Sequence, residues 1–102
     1  MAVVRISLGR FDAGNHDTIR KLLDESRNTL IPAIRALKGN QAYYVGIDRE
    51  NSAMTNVSIW ETLADAQQMA SLKAMQDQAK IFTNAGVRFD RPITNHETLW
   101  VL

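Results

Sequence analysis

The sequence predicts an α+β fold with the ferredoxin-like βαββαβ order and one antiparallel four-stranded sheet. Three observations lead there. Segments with a period of two alternate with longer segments of helical period along the chain. Isolated glycines and short polar clusters fall between those segments. No linker, repeat or low-complexity tract divides the 102 residues, so 1–102 reads as a single domain.

Val4, Ile6 and Leu8 alternate with Val3, Arg5 and Ser7, which gives a first strand over about 2–10. Gly14 and Asn15 break the chain. Asn15 or Asp17 is expected to cap the next helix, because a short side-chain acceptor satisfies free backbone N–H groups there. Ile19, Leu22, Leu23, Ser26 and Leu30 share one helical face; Arg20, Lys21, Asp24, Glu25 and Arg27 share the other. Pro32 lacks a donor and disfavours helix at Ile31, so a kink or restart is expected. Ile34 and Leu37 keep the apolar phase, and Gly39 is expected as the C′ residue.

Tyr43, Val45 and Ile47 begin a second strand, about 41–49, and Glu50-Asn51-Ser52 reads as a hairpin turn. The third strand runs from about Met54 to Glu61 and contains Asn56-Val57-Ser58-Ile59-Trp60. Thr62-Leu63-Ala64-Asp65 resembles a capping box with Asp in place of Glu. A helical stretch follows to about Asn84. Its apolar phase slips from Leu63, Ala66 and Ala70 to Leu72, Met75, Ala79 and Phe82, which predicts a break near Ser71. Gly86 closes it. Ile93, Leu99 and Val101 alternate with Thr94, His96, Thr98 and Trp100, a last strand over about 93–101.

Right-handed crossovers give the strand order 4-1-3-2, with both helices on one face of the sheet. Strand residues of both parities are substantially apolar, and a sheet of that kind is covered on both faces. The expected cover is a second copy of the chain about a two-fold axis, closing a dimeric α/β barrel; the expected partner is thus a homodimer mate on the open sheet face.

Composition narrows the function. Twelve basic and eleven acidic residues give a net charge of +1, and the basic residues are scattered, so no nucleic-acid partner is expected. Absence of cysteine excludes disulfides, thiolate metal sites and cysteine nucleophiles. No apolar run approaches the roughly 20 residues that span a membrane. The N-terminus reads as a strand rather than a signal peptide, so a cytoplasmic location is expected. The five glycines are isolated and form no dinucleotide fingerprint, and no serine sits in a nucleophile elbow.

The βαββαβ order, the pair Trp60-Glu61 closing strand three, the capped helix straight after it and the aromatic-bearing last strand resemble the antibiotic biosynthesis monooxygenase-like family of the dimeric α/β-barrel superfamily. The resemblance covers nearly the whole chain. It implies a homodimer with a small apolar pocket between sheet and helices. It also implies, for some members, oxidation of phenols or quinols by O₂ with neither metal nor flavin. In the cofactor-free polyketide oxidases an Asn and a Trp four residues apart on strand three serve the site; Asn56 and Trp60 match that spacing and share a strand face. The haem-degrading members need an Asn on strand one and a His ten residues after the strand-three Trp. This chain has Arg5 and Ser7 on that strand and Ala70 at that position, which argues against haem degradation.

Asn56, Trp60 and His96 are therefore the candidate catalytic residues, with no cofactor and no metal expected. Trp60 would form an aromatic wall and Asn56 would hold a substrate carbonyl or peroxy intermediate; the plain alternative for Trp60 is core packing. His96 would serve as a base, or sit at an interface or rim. His16, just before a helix, is expected in solvent. Candidate substrate-binding residues are Tyr43 and Tyr44, which point to opposite faces, the soft apolar group Met69, Met75 and Phe82, and Arg88 with Arg91, which would attract an anionic substrate at the pocket mouth unless they are solvated or paired with Asp90 between them. The expected ligand is a small apolar or aromatic molecule. The leading function is a cofactor-independent monooxygenase on an aromatic or quinol substrate. The alternatives are an isomerase or cyclase using His96, and a non-catalytic ligand-binding or stress-related dimer; the fold hosts all three.

Overall fold

The structure, a computed structural model describing residues 1–102, centres on two long strands. β1 (Val3–Arg10) and β3 (Ala53–Trp60) pair antiparallel without a break, from Val3 opposite Trp60 to Arg10 opposite Ala53. β2 (Asn40–Asp48) pairs the outer edge of β3, with a register shift between Asn40 and Ala42. On the other side β1 is paired by β4 (Arg88–Phe89) and β5 (Thr94–Glu97). β2, β3, β1 and β5 follow the expected order, with β5 inside the expected last strand, and the short β4, outside that range, makes the sheet five-stranded.

That last strand is shorter than its alternation suggests. Val3, the first residue of β1, already pairs with Glu97, so nothing remains for later residues to pair with. Thr98 ends the ladder by donating both its N–H and its hydroxyl to the Ala2 carbonyl, at 3.0 and 2.9 Å. Leu99, Trp100, Val101 and Leu102 are exposed and covered by nothing within one chain.

α1 (His16–Arg35), α2 (Leu63–Ser71) and α3 (Lys73–Asn84) complete the fold. α1 runs unbroken through Pro32, so the helix does not restart there. Pro32 sits in the last turn, and the carbonyl of exposed Asn28 that it leaves undonated can bond water. Buried Leu30 and Ile34 on either side anchor the helix to the sheet. The helix is capped at its C-terminus by Ala36, so Gly39 is not its C′ residue. Gly39 lies in the turn into β2 with φ +79°, where a Cβ would collide with the Asp65 carboxylate. Neither Asn15 nor Asp17 caps α1 through its side chain: Asn15 holds the N-cap position but donates its amide to the Ala85 carbonyl at 3.3 Å, while Asp17 stands in the first turn. Thr62 does cap α2, its Oγ1 accepting from the Asp65 N–H at 3.1 Å. The break between α2 and α3 falls at Leu72, whose backbone is extended. No helix is long and apolar enough to cross a membrane.

Strand parity decides which side chains meet the helices. Val3, Arg5, Ser7, Met54, Ser58 and Trp60 are buried there. Ile6, 36% exposed, and Tyr44, 61% exposed, lie on the open face. The apolar core beneath the helices is divided. One cluster joins Val3, Leu30, Ile34, Trp60, Ala66 and Met69; the other joins Phe11, Ile19, Met54, Phe82 and Val87.

Candidate functional site

Between the two clusters the sheet presents polar residues. Arg5, Ser58 and Tyr43 form one row across β1, β3 and β2, and Ser7, Asn56 and Val45 form the next. A cavity of about 150 Å³ lies over these rows. Arg5, Ser7, Tyr43 and Asn56 supply its polar floor; Leu23, Ser26 and Leu30 of α1 form one side; Met69, Met75, Ala79 and Phe82 form its roof; Phe89, Arg91 and Ile93 stand at the rim. A wider groove of about 560 Å³ runs along the seam between α1 and β2, lined by Arg20, Asp24, Arg27 and Arg35 among others. It shares Leu23, Ser26, Leu30, Tyr43 and Val45 with the cavity, so the two meet along that seam. The smaller space is the better candidate site, because convergent polar groups and an apolar roof meet there.

The cavity brings together some of the expected residues and separates others. Asn56 lies on its floor, and Met69, Met75 and Phe82 line its roof. Trp60 points to the same sheet face but lines no part of the cavity. It is wholly buried in the core, and its indole N–H donates to Ser58 Oγ at 2.8 Å. His96 stands opposite Val4 on the open face, exposed, with Nε2 2.9 Å from Thr94 Oγ1. Asn56, Trp60 and His96 therefore do not converge. Tyr43 faces the cavity and Tyr44 the open side. Arg88 is an exposed partner of Asp12 at 3.5 Å, away from the cavity. Arg91 takes the rim position instead, its guanidinium 5.0 Å from the Phe89 ring centre; Asp90 is engaged by Arg10 at 3.2 Å. His16 is buried rather than solvated: its ring lies against Phe11, 6.4 Å between centres, and neither ring nitrogen has a partner.

Arg5, Ser7 and Ser26 are the functional candidates that sequence reasoning missed. In β1 the apolar parity, Val4, Ile6 and Leu8, faces away from the helices, and the mixed parity faces the cavity. Ser26 interrupts the apolar stripe of α1, and its hydroxyl donates to the Leu23 carbonyl at 2.7 Å. That interruption was the available signal. Electrostatics mark the same place. Burial lowers the Arg5 pKa, nearby Tyr43 works against that shift, and Arg91 adds to it; a guanidinium nonetheless stays charged. Burial pushes the Tyr43 phenol up to about 12, with Arg5 opposing, so Tyr43 is neutral at physiological pH. Its hydroxyl is buried with no partner. No three His, Asp or Glu side chains gather as a metal-binding group.

No protein-family model and no curated protein sequence matches the chain. Solved structures do. A Deinococcus radiodurans protein named a putative antibiotic biosynthesis monooxygenase superposes with a TM-score of 0.72 at 18% identity, over 100% of this chain and 96% of that one. A Nitrosomonas europaea protein of the same name gives 0.73 at 11% identity, over 97% and 91%. SnoaB from Streptomyces nogalater, a cofactor-independent oxygenase, gives 0.72 at 8% identity, over 99% and 96%. The chain thus has the fold of the antibiotic biosynthesis monooxygenases over its full length.

Proposed function

We propose that this chain is an antibiotic biosynthesis monooxygenase-like protein that oxidises a small aromatic or quinol-type substrate with O₂ and without a cofactor. The observation that carries the reading is the cavity between sheet and helices, with the Asn56 carboxamide on a polar floor beneath a methionine- and phenylalanine-lined roof. SnoaB, which shares the fold, is itself a cofactor-independent oxygenase.

In this reading the substrate supplies the electrons. Loss of a proton from an activated CH₂ leaves a delocalised anion that reduces O₂. One oxygen atom becomes the new C=O, and the other leaves as water with the two hydrogens of that carbon. The chain orients the anion and keeps water away. Asn56 and Ser7 offer hydrogen bonds to its oxygen, and such donors act strongly where water is excluded. Trp60 takes part by position: its bond to Ser58 fixes the floor next to Asn56. A second copy of the chain covers the open sheet face that bears Ile6 and Tyr44.

The test is O₂ consumption with a panel of dihydroquinones and anthrone-like phenols. Wild type is expected to turn over at least one of them, and Asn56→Ala to lose most of that rate, about 10²-fold by analogy with removal of one oxyanion donor. Ligand binding without O₂ uptake across the panel would overturn the oxygenase reading.

A further inference from the structure

Arg5 has features that the oxygenase reading does not use. It is 7% exposed and lies on the cavity floor. The ion pairs of the chain are Arg10–Asp90, Lys21–Glu25, Lys73–Asp77 and Arg88–Asp12, so Arg5 has no carboxylate partner. Among the cavity-lining residues there is no Asp or Glu, and a second guanidinium, Arg91, stands at the rim. The α1–β2 groove that meets the cavity carries Arg20, Arg27 and Arg35 against one acid, Asp24, and none of those three arginines belongs to an ion pair. A buried cation is costly unless it is paired. A site that keeps one facing a cavity, with a positive approach to it, is built for a counter-charge that arrives with the ligand.

Resting on the reading of this cavity as the binding site, we propose that it takes an aromatic carboxylate, whose anionic group is held by Arg5 with Arg91 at the rim while its ring lies under Met69, Met75 and Phe82. The polar ends sort accordingly. Arg5 presents a planar fork of N–H donors that matches a carboxylate in two parallel bonds. Tyr43, neutral and without a partner for its hydroxyl, can donate a third. Asn56 and Ser7, one row along the floor, are left for a ring substituent. The volume of about 150 Å³ holds the aromatic ring next to the carboxylate, and the adjoining α1–β2 groove can take the rest of a larger ligand.

The test compares matched probes by calorimetric titration: benzoate with benzamide, and 2-naphthoate with 2-naphthamide. Within each pair the ring and the planar shape of the head group are kept, while an anionic group with two acceptor oxygens is replaced by a neutral one with one acceptor oxygen and an NH2 donor. Wild type is expected to bind an acid at least about tenfold more tightly than its amide, as charge-assisted bonds exceed neutral ones. Arg5→Met is expected to abolish that preference while still binding the amide, and Arg5→Lys to keep part of it. Equal affinity for acid and amide in wild type, no binding of either, or an undiminished preference in Arg5→Met would each overturn the proposal. The wild-type comparison needs no variant to fold. The assay also involves no oxygen chemistry, so a chain that prefers acids yet consumes no O₂ sinks the oxygenase reading alone, and a chain that oxidises neutral phenols but ignores acids sinks this one alone.

Discussion

Tyr43→Phe tests the buried floor most directly. The phenol ordinarily ionises near 10.0 and in the folded chain at about 12. Below pH 9 both folded and unfolded chains keep the proton, and stability does not depend on it. Above pH 10 the unfolded chain loses the proton while the folded chain holds it, so ionisation pulls the equilibrium towards unfolding as pH rises towards 12. At pH 11 the protonated fraction is about tenfold larger in the folded chain than in the unfolded one, a loss of about 1.4 kcal/mol for wild type that Tyr43→Phe does not suffer. In a domain of this size that is roughly 5–10 °C in Tm. The measurement is urea or thermal unfolding of both proteins at pH 8 and pH 11, with all other titrating groups cancelling in the double difference. Tyr43→Phe should gain on wild type by that amount between the two pH values. The wild-type-minus-variant tyrosinate absorbance should rise near pH 12 rather than near 10. A gap in stability that stays constant with pH, or a difference spectrum rising near pH 10, would refute the argument that burial holds this phenol neutral.

Two further outcomes follow from the packing. Trp60→Phe removes the bond to Ser58 and leaves a void in a wholly buried site, which should cost roughly 2–3 kcal/mol in chemical denaturation; a cost under about 0.5 kcal/mol would deny Trp60 its structural role. The open sheet face predicts a dimer: sedimentation at micromolar concentration should give twice the chain mass for wild type and a single chain for Ile6→Asp, whereas a monomeric wild type would rule out the barrel arrangement.

The fold was legible because its signals are local and repeated. The slip of apolar phase from Ala70 to Leu72 marked a real break between two helices, and the Thr62 cap formed as its spacing suggested. Gly39 and Pro32 were misread for a common reason. Each carries a strong local preference that was set by contacts elsewhere, the approach of Asp65 in one case and the anchoring of Leu30 and Ile34 in the other. The tail after Glu97 was misread because alternation cannot count the residues that β1 has left to pair. The site was legible only in part. Spacing placed Asn56 and Trp60 on one sheet face, but which of two same-face residues meets a cavity and which fills the core depends on the helices above them. Arg5 escaped because no rule of period says which parity of a strand turns inward when one parity is apolar and the other mixed.

The inward turn of Arg5 and Ser7 leaves the more apolar parity of β1 to the open face. Shifted by one residue, the strand would turn Val4, Ile6 and Leu8 under the helices and put Arg5 and Ser7 on the open face, a frame that burial within a single chain would favour. Gly9 helps forbid it. A Cβ at that position would lie 2.7 Å from Val87 Cγ1, 3.1 Å from Met54 Cγ and 3.3 Å from Phe89 Cδ1, and the slipped frame would put Leu8 or Arg10 there. One glycine at the far end of the strand thus acts as a steric key. It disfavours the slipped threading, and so helps keep Arg5 beneath the helices with Val4, Ile6 and Leu8 on the open face.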